Sequence, residues 1–256
     1  MSVMEIKVIG VGGIGCALLP HLCRYLNYGA CSSADGDGAR GPTLPAMPGP
    51  RARITLVDGD AFEARNAARQ AFGAAGNKAR IKAAELAREF EALSLRAVSE
   101  FIHEDNAVAV IGEGDVVFLA VDNHRTRKVV SDHCRTLRSA LLISGGNDLT
   151  DGNVQVYVRR GGQDVTLPLT RFHPEIADPR DRSPGEMSCD ELARASAPQL
   201  LFTNLAVASA MLNAFYAWQQ GMLGYGEVYL DIVQGRANPV PRTPPPGPAP
   251  GKAGDP

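Results

Sequence analysis

Residues Gly10–Gly15 read "GVGGIG", between a short apolar run, "IKVI", and the segment "CALLPHLCRYL". A glycine-rich turn joining a strand to a helix exposes backbone N–H groups at a helix N-terminus, which is a device for holding phosphate. The six residues satisfy both the dinucleotide pattern G-x-G-x-x-G and the tighter G-x-G-G-x-G of enzymes that adenylate a carboxylate with ATP. On that second reading Gly13 gives the backbone room beside ATP. The turn alone does not choose between them.

Outward from the turn, Met4 to Ile9 is apolar and β-rich, and Ala17 to Leu26 has the spacing of a short amphipathic helix that Pro20 shortens or bends. Gly29 to Pro50 is loaded with Gly, Pro, Ser, Asp and Ala, has no period, and reads as a flexible surface insertion. "RITLVDGD" gives a second strand ending in acids. Lys78 to Leu95 reads as a helix and "AVSEFI" as a third strand, while "DVVFLAVDN" has the continuous apolar run of a strand buried on both faces. This alternation predicts an α/β fold with a Rossmann-like doubly wound sheet.

From Ala140 the pattern changes. "ALLISGGN" and "GNVQVYVRR" are strands without a helix between them, so the mostly parallel sheet is expected to turn antiparallel in its C-terminal part. A crossing loop over 171–190 follows, with a short helix over Asp190 to Ala195, a long helix over Gln199 to Gln219, and a last hairpin in "GEVYLDIVQGRANPVP". The organisation expected is one unit over 1–241 and a disordered Pro- and Gly-rich tail over 242–256.

The 256 residues carry a formal net charge of -2, which gives no electrostatic reason to expect nucleic acid or an anionic membrane as partner. Five cysteines, with no C-x-x-C pair and no leader before the first strand, read as a reduced, cytoplasmic protein without a structural zinc. Cys16, Cys23 and Cys134 fit small core positions. Leu200 to Trp218 is long enough to span a bilayer, but it contains Asn204 and Asn213 and lacks a basic flank. It reads as a core or subunit-interface helix.

A nicotinamide enzyme would use Asp58, at the end of the second strand, for the adenosine ribose, and would leave the following residues unexplained. Attack of a carboxylate on the α-phosphate of ATP instead needs fixed cations and a carboxylate for magnesium. Arg69 and Lys78 supply the cations, and Asp122, at the C-terminal end of a buried strand, is placed to hold the metal. Arg125 and Arg127 offer positive charge to an acidic partner tail. Asp60 reads as a cap on the turn after the second strand.

"GVGGIG", "DGD" (Asp58–Asp60), "NAARQ" (Asn66–Gln70), "GNKA" (Gly76–Ala79) and "LAVDN" (Leu119–Asn123) stand in the order found in one known group. The chain resembles the ThiF and MoeB group of ubiquitin-activating-enzyme-like adenylating proteins. Leu119 stands where that group's last motif carries its first acid. The resemblance implies a phosphate cradle at Gly10, Gly12, Gly13 and Gly15, ribose contact by Asp58, and ATP-phosphate contacts by Asn66, Arg69 and Lys78. It also implies magnesium on Asp122. Lys82 competes with Lys78 for the lysine role, although "NKA" fits the helix opening better.

"HPEIADP", "SCDELARASAPQLLFTNLAVA" and "VYLDIVQGRANPVP" are similar to the ThiF-like proteins of bacterial PRTRC systems. That implies ATP-dependent activation of the C-terminal carboxylate of a ubiquitin-like protein, a conjugating-enzyme-like partner, and a homodimer. In the relatives that go beyond adenylation, a cysteine in the crossing loop takes the acyl group. Cys189 occupies that region, and two readings stay open: an acceptor forming a thioester, or a half-buried cysteine beside a helix cap. The sequence before Ile9 contains no Arg that could reach a partner's phosphates. That absence makes an impaired nucleotide-binding partner subunit one alternative; an NAD-dependent oxidoreductase, resting on the glycine turn and Asp58, is the other.

Overall fold

The computed structural model describes residues 3–31, 52–181 and 199–244. Strand β1 (Met4–Ile9) pairs in parallel with β2 (Ala52–Val57) on one side. On its other side it pairs in parallel with β6 (Val116–Leu119). Outside these lie β5 (Ser94–Val98), parallel to β2, and β7 (Ala140–Asn147), parallel to β6. The order β5-β2-β1-β6-β7 reverses direction at β1. Such a reversal opens a crevice at the carboxyl ends of the strands.

Beyond β7 the sheet is antiparallel, through β8 (Asp151–Arg160), β10 (Glu227–Asp231) and β11 (Arg236–Val240). Two short pairings lie beside it: β3 (Ala61–Phe62) pairs with β4 (Gly76–Asn77), and β9 (Gln163–Asp164) turns back to pair antiparallel with the end of β8. The parallel half with its antiparallel extension is the Rossmann-like sheet expected from the sequence.

Helices cover both faces because the strands are apolar on both sides. Ile6, Val8, Ile54, Leu56, Phe118 and Val156 point to the face that buries α1 (Gly13–Cys31), α2 (Lys78–Glu89) and α6 (Leu201–Gln219). Ile9, Val57, Val117, Leu119, Leu142 and Tyr157 face α3 (Glu104–Val110) and α4 (His124–Thr136). Helix α6 packs on α1 and on β7, and Phe215 meets the Phe118 ring edge-on at 5.4 Å. No helix among the described residues is long and apolar enough to cross a membrane. Cys16, Cys23 and Cys134 are buried free thiols, in the core positions expected of them.

Several boundaries move. Helix α1 starts inside the glycine turn, at Gly13, and continues through Pro20 to Cys31, so Pro20 does not end it. Helix α2 stops at Glu89, with Phe90 as its C-cap, and β5 begins at Ser94 rather than at Ala97. Pairing with β2 sets that start, since Ser94 stands opposite Arg53. The described part of the crossing loop contains a helical turn, α5 (Pro174–Ala177). The expected insertion from residue 32 on, the helix at 190–195 and the tail from residue 245 on lie outside the described residues, as does Cys189.

Candidate active site

A cleft of about 1330 Å³ runs along the carboxyl ends of the parallel strands and on over the antiparallel half of the sheet. At one end lies the glycine turn. Gly10 donates its N–H to Val57 O and adopts φ +89°, and a Cβ there would stand 2.6 Å from Ala120 O. A Cβ on Gly15 would stand 2.2 Å from Gly10 O, and one on Gly13 would stand 2.2 Å from the Asn204 side chain of α6. Gly13 lines the cleft, but its missing side chain makes room for Asn204 rather than for a ligand. Gly12 differs: its Cβ would meet only Gln70 Nε2, at 3.8 Å.

Asp58 sits directly after β2, buried, and ties the turn in place. Its Oδ2 accepts the Val11 N–H at 2.6 Å and its Oδ1 accepts the Asp60 N–H at 2.8 Å. Burial pushes its carboxyl up to about 6, against the pull of Lys78 and with help from Asp60. Protonation therefore favours the folded state, and the contribution of Asp58 to stability falls as pH rises from about 4 to about 6. If the ionised carboxylate holds the ribose hydroxyls, nucleotide affinity runs the other way. We expect binding of an ATP analogue, followed by calorimetry, to weaken several-fold between pH 7 and pH 5, and Asp58→Asn to remove that dependence.

Lys78 opens α2 behind its N-cap Asn77, whose side chain accepts the Arg80 N–H at 3.1 Å. The Lys78 Nζ reaches into the cleft and meets Asp60 Oδ2 at 2.8 Å, while its N–H donates to Asp60 O at 2.9 Å. Asp60 thus does more than cap a turn. Lys82, one helical turn on, points elsewhere: its Nζ bonds Ala71 O, pairs with Glu85 Oε2 at 2.5 Å and lies 4.7 Å from the Phe72 ring centroid. Of the two rival lysines, only Lys78 lines the cleft.

A short 3-10 turn, Ala64–Asn66, and the turn after it, where the Arg69 and Gln70 N–H groups donate to Asn66 O, deliver Asn66, Arg69 and Gln70 to the same wall. Asn66 Oδ1 accepts from Arg69 Nη2 at 3.3 Å. Gln70 is buried beside Gly12, and its Oε1 has no hydrogen-bond partner among the described residues.

Asp122 lies just beyond β6, exposed in the middle of the cleft, with no hydrogen bond or ion pair among the described residues. The following Asn123 is buried and caps α4 by accepting the Thr126 N–H at 2.8 Å. Asp181, from the crossing segment, accepts the His124 N–H at 2.5 Å at the same helix end. The sequence reads Arg127, with Arg125, as positive charge for an acidic partner tail. Arg127 is buried against the floor of the cleft, and burial brings its guanidinium down to about 10, with Asp122, Asp181 and Glu175 opposing that fall.

The far half of the cleft is polar. His173 stands between Glu175 Oε1 and Glu227 Oε1, 2.8 Å from each, and the hydrogen bond to Glu227 raises its basicity. Burial opposes ionisation of Glu227, but bonds from His173 and from Arg242 Nε, at 2.8 Å, outweigh it and hold the carboxyl at about 2. Among the described residues no cluster of His, Cys, Asp and Glu has the form of a metal site made by protein alone. Asp122 offers one exposed carboxylate, which suits a magnesium ion carried largely by phosphate oxygens and water.

The turn, the ribose-side acid, the two cations and the exposed carboxylate thus share one cleft, and the profile of the ThiF family matches residues 1–211. The chain belongs to the ThiF family. Mouse "Adenylyltransferase and sulfurtransferase MOCS3" is 31% identical over 166 residues, which are 63% of this chain and 31% of that protein. The chain therefore spans about a third of the length of the curated relatives it matches. Among solved structures, E. coli MccB with ATP superposes with a TM-score of 0.65 at 16% identity, covering 94% of this chain and 65% of that one. MccB in complex with N-formylated MccA gives 0.67 at 15% identity, covering 94% and 66%. At such identities these two likenesses speak for the ThiF fold alone.

Proposed function

We propose that this ThiF-family chain is an adenylyltransferase that activates the C-terminal carboxylate of a ubiquitin-like protein with ATP. The adenylating unit is taken as residues 1–241. The observation that carries the reading is the meeting of Arg69, Lys78 and Asp122 in the cleft that begins at the glycine turn. A nicotinamide enzyme needs none of the three.

In the proposed reaction a carboxylate oxygen attacks the α-phosphorus, the bond to the pyrophosphate oxygen breaks, and an acyl-adenylate and pyrophosphate result. Charge builds on the phosphoryl oxygens as this happens. Arg69 and Lys78, already fixed by their own contacts, can stabilise it without reorganising. Lys78 has to exchange Asp60 for phosphate to do so. The orphaned Gln70 Oε1 and the open face of Gly12 fit a ligand lying against the turn. Asp122 would hold magnesium, which supplies charge neutralisation at the phosphates. The homodimer, the conjugating-enzyme-like partner, the PRTRC kinship and acyl transfer to Cys189 rest on the resemblance alone.

The test is ATP–pyrophosphate exchange driven by a candidate ubiquitin-like protein. Lys78→Ala should lower exchange by about a hundredfold or more. Lys82→Ala should keep exchange and instead lose roughly 1–3 kcal/mol of stability, read by thermal melting. Exchange lost equally in both variants would reject the assignment of Lys78. No exchange with any such protein, together with measurable NADH binding, would overturn the adenylation reading.

A further inference from the structure

Arg127 carries the strongest unexplained feature of the cleft: a buried cation, 6% exposed, that makes no ion pair among the described residues. A guanidinium has five N–H donors. Three are spent, Nη1 on Ser144 Oγ at 2.8 Å and Nη2 on Val121 O at 2.7 Å and Gly145 O at 2.8 Å. Among the described residues the Nε–H and the second Nη1–H meet no acceptor, and Arg127 lines the cleft. Gly146 makes room for the guanidinium itself, since a Cβ there would stand 2.5 Å from Nη2.

A buried charge without a partner is costly, and an incoming anion would relieve it. The three carboxylates around it, Asp122, Asp181 and Glu175, favour its charge from nearby, but none forms an ion pair with it among the described residues, so each acts through space only. Two of them have other partners, since Asp181 accepts the start of α4 and Glu175 bonds His173.

Position decides which anion. The glycine turn and Asp58 belong to β1 and β2, whereas Arg127 is bonded to the chain leaving β6 and to the end of β7, on the opposite side of Asp122. That is where the cleft continues over the antiparallel sheet, away from the nucleotide half. We infer that Arg127 is the subsite for the terminal carboxylate of the acyl substrate, holding that oxyanion beside Asp122 before it attacks. This rests on the adenylation reading, and it names the cation that receives the tail. Held there, the carboxylate keeps its charge and is oriented toward the α-phosphorus.

The test uses the full chain and two small probes, N-acetylglycine and its neutral amide N-acetylglycinamide, titrated into protein carrying 15N-labelled arginine. N-acetylglycine should shift the Arg127 Nε–H resonance saturably, with the resonance assigned by its loss in Arg127→Lys. The amide should bind at least about tenfold more weakly. Arg127→Gln should lose the acid by a similar factor while binding α,β-methylene-ATP within about threefold of wild type. Equal binding of acid and amide, or no saturable shift at all, overturns the inference. So does a variant that loses the ATP analogue as severely as the acid, because the anion is then phosphate. Should Arg127→Gln not fold, the wild-type comparison of acid with amide still decides. Failure of wild-type protein to bind the ATP analogue would defeat the adenylation reading separately, leaving the discrimination between acid and amide to be read on its own.

Discussion

Asp122→Ala is expected to remove ATP–pyrophosphate exchange by about a thousandfold, equivalent to roughly 4 kcal/mol of transition-state stabilisation, while the protein stays folded. The two halves of that expectation have separate physical sources. Asp122 is exposed and holds no hydrogen bond or ion pair among the described residues, so truncating it costs the fold within about 0.5 kcal/mol. It is nonetheless the carboxylate that stands between the nucleotide half of the cleft and the buried Arg127. Taking it away removes the proposed metal ligand without disturbing the cradle at Gly12 or the side chains of Arg69 and Lys78. Nucleotide binding without magnesium should therefore survive in the variant, and exchange should not. A variant that exchanges at the wild-type rate would remove Asp122 from the chemistry; one that unfolds would show that its setting has been misread.

The division between what was legible in the sequence and what was not follows the range of the interactions involved. Strand–turn–helix order, the acid after β2, the "NAARQ" turn and the lysine opening α2 are local, and periodicity and capping chemistry expose them. The antiparallel turn of the sheet was legible for the same reason, because two strand patterns followed one another without a helical one. The environment of Arg127 was not. Its three acceptors come from the end of β6 and from β7, up to eighteen residues away, and a basic residue on a helix ordinarily signals solvent. One signal was present, the pair Gly145–Gly146 at the end of a strand, since glycine within a strand marks a close approach. Met211 meets the first of these and Arg127 the second. The neighbour of Gly13 was equally out of reach, because Asn204, which fills the space a side chain there would take, lies 191 positions along the chain, too far for any local pattern to place it.

The largest effect on stability should come from Gly15→Ala, which we expect to cost about 3 kcal/mol or more and to lower the melting temperature accordingly. The methyl group would stand 2.2 Å from Gly10 O, a backbone atom that cannot swing aside as a side chain would. Gly10 is itself fixed, by its N–H on Val57 O, by its φ of +89° and by Ala120 pressed against it. Relief has to come from moving α1 off the sheet, which opens the packing of Leu18, Leu19 and Leu22 beneath it. Gly12→Ala supplies the contrast. Its Cβ meets only Gln70 Nε2, at 3.8 Å, so stability should change by no more than about 0.5 kcal/mol while a methyl group intrudes on the surface offered to phosphate. Thermal melting and binding of an ATP analogue, measured on both variants, separate the two uses of one motif: at Gly15 the missing side chain lets the helix meet the strand, and at Gly12 it leaves the backbone open to a ligand. Equal destabilisation by both substitutions would mean that the turn is built for packing throughout, and the cradle would have to be sought elsewhere in the cleft.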